Sequence, residues 1–290
     1  MKRLSPTWRF MATPTRSLAF IVFGILAVCC APAQSADSEP SRGILVNPAD
    51  GSPTEFMAWT SEDTVHQAVR KLKSKGGGVV SFLPGEYTIH QGIFLNDVNN
   101  VTIRGTMGVK LKFAPSPETM PRLTKEVQQG EDFLMVDRPD LLKVGWKYQV
   151  YPESLKGDRI LEFRVRKVDQ DRVWIAPKVQ FMGHVKEIPV GSVVFEHLNF
   201  FSLTRCDSVT LEGLHLDGIQ RGSIHGHTTF CGVLAVGQYK VGERPKNHRL
   251  EIKNCSFVGL KGRGIAIYGM GENLVEGCYF RDIDSQAVEI

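Results

Sequence analysis

The first 36 residues contain no aspartate or glutamate. Lys2, Arg3, Arg9 and Arg16 all lie there and account for the whole formal surplus of +4; beyond them, 31 basic residues face 31 acidic ones. A chain so balanced lacks the electrostatic footprint of a non-specific nucleic-acid binder. It also lacks a phosphate loop and a dinucleotide fingerprint, which leaves no sequence sign of a nucleotide cofactor. Long apolar runs are missing apart from Leu18 to Cys30, and that one falls short of the ~20 residues that span a bilayer. Hydrophobic content of 42% with 23% charge excludes disorder as the main state.

The one apolar run follows four positive charges and precedes Ala31-Pro32-Ala33-Gln34-Ser35-Ala36. That order of basic, apolar and small residues predicts a cleavable secretory signal over 1–36. The expected mature chain is secreted or periplasmic, with no membrane span once the signal is removed. Lipoprotein processing is disfavoured, because Val28 and Cys29 stand where a small residue is needed.

Cysteine is scarce too: beyond the signal only Cys206, Cys231, Cys255 and Cys278 remain. In an exported protein four cysteines usually suggest disulfides. Their spacings of 25, 24 and 23 residues suggest a structural repeat instead. Leu211–Ile219, Ile252–Leu260 and Val275–Ile283 align without gaps and give apolar columns Leu214/Cys255/Cys278, Leu216/Phe257/Phe280 and Ile219/Leu260/Ile283. A second strand recurs as Gly232–Gly237, Gly264–Gly269 and Ala287–Ile290, and Asn100–Gly105 is an earlier relative. Short strands with Gly/Asn corners at a period near 23 predict coils of a parallel β-helix, each strand pairing with its counterpart one coil along. The cysteines then form a buried ladder of small apolar side chains in preference to a disulfide. The outward column Glu212/Lys253/Glu276 alternates in sign, so Lys253 reads as a cross-strand partner. Ahead of the coils, Val65, Ala68, Val69 and Leu72 repeat at helical spacing after Asp63 and stop at Gly76-Gly77-Gly78, predicting a short helix that covers the first coil.

The helix, followed by Gly76-Gly77-Gly78-Val79-Val80-Ser81-Phe82-Leu83-Pro84-Gly85-Glu86-Tyr87 and Asn100-Val101-Thr102-Ile103-Arg104-Gly105, resembles the N-terminal part of the pectin lyase-like superfamily. The likeness covers roughly 44–113 and 200–290. It implies an all-β chain, a right-handed parallel β-helix. It also implies a carbohydrate-active role, since the superfamily holds polysaccharide lyases, polygalacturonase-type hydrolases, epimerases and non-catalytic proteins.

Two features break the repeat. Ile103 and its counterpart Leu211 are 108 residues apart. The excess contains short β segments Phe133–Val136, Tyr148–Tyr151, Leu161–Arg166 and Arg172–Ile175 with a turn at Asp169-Gln170-Asp171, predicting an inserted small β-barrel or sandwich over 115–197. Its Arg164 and Arg166 suit a ligand surface, although a solvated strand face explains them at less cost. Leu211 and Ile252 are 41 residues apart, with nine extra residues on each side of Val233–Val236. The expected organisation is 1–36 signal, 37–114 cap and first coils, 115–197 insert, and 198–290 further coils ending within a strand.

Long loops on a rigid scaffold concentrate binding and catalysis. The two here carry Arg221, His225 and His227, then Tyr239, Lys240, Glu243, Arg244, Lys246 and His248. The sheet face between them is expected to expose Leu234, Val236, Tyr268 and Glu289, beside Lys261 and Arg263. β-Elimination from a uronate needs cations on the carboxylate and a base for the C5 proton. His225, His227, Lys240, Arg244, Arg263 and Tyr268 have that chemistry and are the candidate catalytic residues of a lyase or epimerase acting on an acidic polysaccharide. Glycoside hydrolysis would need two carboxylates, drawn from Asp217, Asp282, Asp284 and Glu289. The polygalacturonase motifs Asn-Thr-Asp, Asp-Asp, Gly-His-Gly and Arg-Ile-Lys are missing. So is the aspartate cluster of pectate lyases, which leaves calcium without an identified site. His225-x-His227 lacks a third ligand at zinc spacing. A non-catalytic glycan-binding or scaffold β-helix is the alternative. The chain ends at Val288-Glu289-Ile290 without a polar cap, which leaves two readings, a truncated member of the superfamily or an end covered by another subunit.

Overall fold

A computed structural model of the chain describes residues 42–114, 119–151, 161–181, 187–196, 199–219, 231–237, 249–269 and 271–290. The signal segment and most of both long loops, with His225, His227, Lys240 and Arg244, lie outside them.

The protein is all-β and coils as a parallel β-helix of three sheets. Face one runs Gly78–Phe82, Asn99–Gly105, Asp207–Glu212, Arg249–Lys253 and Glu272–Glu276; face two runs Gly85–Ile89, Val109–Phe113, His215–Asp217, Ser256–Val258 and Tyr279–Arg281. Face three runs Ile93–Asn96, Asn199–Thr204, Cys231–Val236, Ile265–Tyr268 and Val288–Glu289. Every step between coils is parallel, including Ile103↔Leu211 and Leu211↔Ile252, the registers expected from the repeat. Strand alternation sends Tyr87, Leu111, Leu216, Phe257 and Phe280 inward in one column. Phe257 and Phe280 stack there with centroids 4.9 Å apart and planes within 8°. The corner after face one is held by left-handed residues, Gly213 (φ 65°), Asn254 (φ 53°) and Gly277 (φ 63°), the conformation open to Gly and Asn.

The four cysteines are free thiols. Cys255, buried, and Cys278, partly buried, stack in a second column after Leu214, each donating its S–H to carbonyls, Cys255 to Lys253 O at 3.3 Å and Cys278 to Ile252 O at 3.5 Å. Cys231 instead lies with Leu234 and Ala266 in a small apolar cluster apart from the main core. The expectation that face three exposes Leu234 is therefore corrected: Leu234 is 9% exposed and Ala266 wholly buried. Ile219 departs from its column as well, being 56% exposed where Leu260 is buried. A Leu260 methyl lies 2.7 Å from where a Gly218 Cβ would stand, which leaves no room for a side chain at that corner. On the outside of face one, Glu212 pairs with Arg104 at 3.0 Å, while Lys253 pairs with Glu251 on its own strand at 2.5 Å, not with Glu212 or Glu276.

At the N-terminal end α1 (Asp63–Lys73) buries Val65, Ala68, Val69 and Leu72 in the β-helix core. Face one is extended there by Gly43–Pro48 and Glu55–Ala58, both antiparallel and not foreseen in the sequence. Among the described residues, no helix is long and apolar enough to cross a membrane.

Between Phe113 and Asn199 the chain forms a subdomain with its own core. It is one five-stranded antiparallel sheet, ordered Val193–Glu196, Lys147–Tyr151, Leu161–Asp169, Arg172–Ala176, Phe133–Met135, with a two-stranded ribbon of Val127–Gln128 and Glu187–Ile188. No closed barrel of directly paired strands forms among the described residues, since the two outer strands do not pair with each other. Residues 121–124 run between them, with bridges Arg122↔Val193 and Leu123↔Val136 and backbone hydrogen bonds from Val194 N–H to Pro121 O, Leu123 N–H to Ser192 O and Thr124 N–H to Met135 O. The hairpin turn falls at Gln170-Asp171 as expected, between paired Asp169 and Arg172.

Candidate functional site

The insert leaves the β-helix at the corner between faces two and three and folds back beside the first strand of face three. A cleft of about 530 Å³ results, within the range of small-ligand sites. Three elements line it. α1 gives Asp63, His66, Arg70 and Lys73, which helical periodicity places on one flank beside the buried stripe. Face three gives Phe94 and Asn96, outward by alternation from buried Ile93 and Leu95. The insert gives Gly145 and Trp146 from a turn, and Arg164 from Leu161–Asp169, where it pairs with Lys147 of the strand that follows the turn.

His66 fixes α1 to the sheet. Its Nε2 accepts the Phe94 N–H at 2.9 Å, which places the ring proton on Nδ1, 3.1 Å from Asp63 Oδ1. The insert reaches across to the same aromatic: the Arg164 guanidinium lies 5.9 Å and Lys147 Nζ 5.8 Å from the Phe94 ring centre. Lys143 Nζ stands 4.3 Å over Trp146. Such contacts at a partly exposed surface are worth about 0.5–1 kcal/mol each. Arg164 also donates to Gly145 O.

Three cations in the cleft, Arg70, Lys73 and Arg164, have no carboxylate at ion-pair distance among the described residues, and Asp63 is the sole acid in the lining. Beyond residue 36 the chain is balanced with these three counted, so the positive character of this concavity comes from placement and not from a surplus of basic residues. Beside it lies a smaller recess of about 110 Å³, bounded by Ser61, Glu62, Asp63, His66, His90, Gln91 and Trp146.

Of the sequence candidates, Arg263 and Tyr268 are described. Arg263 forms an ion pair with Glu289 one coil along, and its Nε donates to Gln286 Oε1 at 3.0 Å. Tyr268 is part-buried beside them; burial, then its hydrogen bond with Glu289, hold its hydroxyl above the ordinary range, so it stays protonated at neutral pH. The candidate carboxylates do not converge. Asp217 pairs with Lys110 at 2.7 Å on face two, Asp284 with Lys261 at 3.2 Å, and Asp282 with Arg281 at 3.4 Å. Among the described residues no group of three or more His, Cys, Asp or Glu side chains could hold a metal ion.

His66, Phe94 and Trp146 were not legible as site residues, and Arg164 was legible only as an alternating strand position. The available signal was the place of the insertion, one corner away from the outward residues of Ile93–Asn96.

No family model matches the chain. No curated protein matches it. Solved structures similar to it include the Gp54 tailspike of Acinetobacter baumannii bacteriophage AP22 in complex with A. baumannii capsular saccharide, at 10% identity and TM-score 0.26 over 74% of this chain and 43% of that one. The tailspike gp49 of Pseudomonas phage LKA1 is similar at 15% identity and TM-score 0.25, over 74% and 39%. The tailspike gp61 of Pseudomonas phage phi297 is similar at 14% identity and TM-score 0.25, over 73% and 40%. The chain spans about two fifths of the length of these tailspikes. The β-helix assignment rests on the strand registers, not on these likenesses.

Proposed function

We propose that the protein is an exported, carbohydrate-active β-helix that binds an acidic polysaccharide in the cleft between α1, the first strand of face three and the insert. The observation that carries this reading is the set Arg70, Lys73 and Arg164, unpaired cations around the Phe94 and Trp146 rings. Guanidinium groups match carboxylates bidentately, and aromatic rings take the C–H faces of sugars. Neither property has a use in the β-helix core, where both the α1 stripe and Ile93–Leu95 are already satisfied.

A lyase or epimerase activity is the second reading, supported by the same cations, which would neutralise a uronate carboxylate as C5 loses its proton. The base is its open element: Tyr268 is held protonated and Arg263 is engaged with Glu289. Isothermal titration with oligogalacturonate, oligoalginate and glycosaminoglycan oligosaccharides tests binding, and the ultraviolet absorbance of unsaturated uronate products tests elimination. Binding without new absorbance or reducing ends leaves a binding protein. Heat uptake for none of the three acidic oligomers refutes the assignment of the cleft.

A further inference from the structure

The recess next to the cleft has a different chemistry. Glu62, just ahead of α1, is a carboxylate with only 7% of its side chain exposed. One oxygen, Oε1, accepts the Gln91 N–H at 2.7 Å. The other, Oε2, is buried without a hydrogen-bond partner among the described residues. A buried carboxylate oxygen left unmet is destabilising, so a donor is expected to arrive from outside the chain. The nearest cation-forming group is His90 Nδ1, 3.9 Å from Oε2. That gap is too long for a direct hydrogen bond, but an oxygen set about 2.8 Å from each atom spans it, donating to Oε2 and accepting from Nδ1–H. A hydroxyl does both. His90 in turn faces the Trp146 ring, with centroids 6.2 Å apart. The recess therefore combines a buried acceptor, a donor and an aromatic wall.

Its charge is opposite in character to that of the cleft. Glu62 and Asp63 stand in its lining and no lysine or arginine does. A uronate carboxylate is disfavoured there, whereas an uncharged sugar is matched on every side. The volume of about 110 Å³, room for three to four waters at about 30 Å³ each, accepts one ring edge with its hydroxyls. Trp146 borders both spaces, so a chain lying over it would place adjacent residues in the two.

We infer that Glu62, His90 and Trp146 form a subsite for an uncharged sugar residue, so that the ligand is a heteropolysaccharide in which a neutral sugar adjoins an acidic one. This rests on the cationic cleft holding the acidic residue, and the experiment separates the two claims. Titration of the full chain compares an alternating uronate–N-acetylhexosamine oligosaccharide with a uronate homopolymer of equal charge. The alternating ligand is expected to bind at least about tenfold tighter, equivalent to about 1.4 kcal/mol. Glu62→Gln, isosteric and able to keep the Gln91 bond, removes that preference and leaves the homopolymer affinity unchanged; Arg164→Ala weakens both ligands alike. Equal affinity for the two ligands in the wild type, or an unaltered ratio in Glu62→Gln, overturns the subsite. Should Glu62→Gln fail to fold, His90→Ala, at a half-exposed position, must erase the same preference. If neither polymer binds, the cleft assignment fails by itself. The subsite is then read by saturation-transfer NMR with N-acetylglucosamine and galactose, where transfer abolished by His90→Ala upholds it and an absence of transfer overturns it.

Discussion

Replacing Arg164 by alanine tests the cleft most directly. One guanidinium nitrogen is engaged by Gly145 O, which leaves most of the five N–H donors for a ligand. A charge-assisted hydrogen bond to a carboxylate is worth about 1.5–3 kcal/mol, while an exposed ion pair is worth about 1 kcal/mol or less. Arg164 is solvent-exposed yet sits in a concavity, so a loss of about 1–3 kcal/mol is expected, or about 5- to 150-fold in Kd. The same change removes the contact with Phe94 and should lower stability by only about 0.5–1 kcal/mol. Titration calorimetry with an acidic oligosaccharide reads the first quantity, and urea unfolding the second. Salt provides an internal check. Between about 0.1 M and about 1 M the Debye length shrinks from ~10 Å to ~3 Å, so wild-type affinity should fall steeply and the variant's less so. An Arg164→Ala protein that binds within about twofold of wild type, or a wild-type affinity indifferent to salt, would refute the reasoning.

Phe257→Ala should lose about 3–5 kcal/mol, a large share of the ~5–15 kcal/mol of a typical domain, because Phe257 is fully buried and stacked on Phe280; a urea-unfolding difference below about 1 kcal/mol contradicts the core assignment. Gly92→Ala should cost at least about 2 kcal/mol or prevent folding, since φ is 91° and a Cβ would stand 1.9 Å from Asn199 O; recovery of normally stable protein would count against the coil contact. Arg205→Ala, which removes an exposed pair with Asp97, should leave the urea midpoint essentially where it is in the wild type and serves as the surface control. For Asp217, burial would raise the pKa, but hydrogen bonds from Lys110 and the Ile219 N–H outweigh it and hold the carboxyl below the ordinary aspartate range. The folded pKa is thus the lower one, so its stabilisation is present above about pH 4 and is lost as pH falls through the folded value. Urea midpoints of wild type and Asp217→Asn should converge on acidification, and parallel curves would exclude this contribution.

Much of the coil architecture was readable because a parallel β-helix repeats its physics. Leu216, Phe257 and Phe280 must fill the same slot in successive coils, and so recur at fixed offsets. Positions where the repeat ends were harder. Ile219 continues the apolar column in sequence, yet it is exposed where its counterpart Leu260 is buried, a difference that spacing cannot report. Leu234 obeys strand alternation and faces outward, yet it is covered, which alternation cannot report. The cleft was least legible, since Arg164 and Phe94 are 70 positions apart and meet only because the insert folds back. Glu62 carries no sequence signal, because only the folded chain buries its second oxygen without a partner.

The ends of the insert are held together. Arg122 bridges Val193, and the Val194 N–H donates to Pro121 O at 2.8 Å. Coil two cannot be completed until Asn199–Thr204 pairs with Ile93–Asn96, which would ordinarily require the closure of a chain excursion across the whole insert. Each doubling of a flexible loop adds about 0.6 kcal/mol of closure entropy. Once the insert has folded on its own core, only the short stretches beside Pro121 and Val194 remain to be closed, about three halvings of the loop, or roughly 2 kcal/mol. The subdomain that presents Trp146 and Arg164 thereby makes the coil beneath them easier to complete, and its folding is expected to precede theirs.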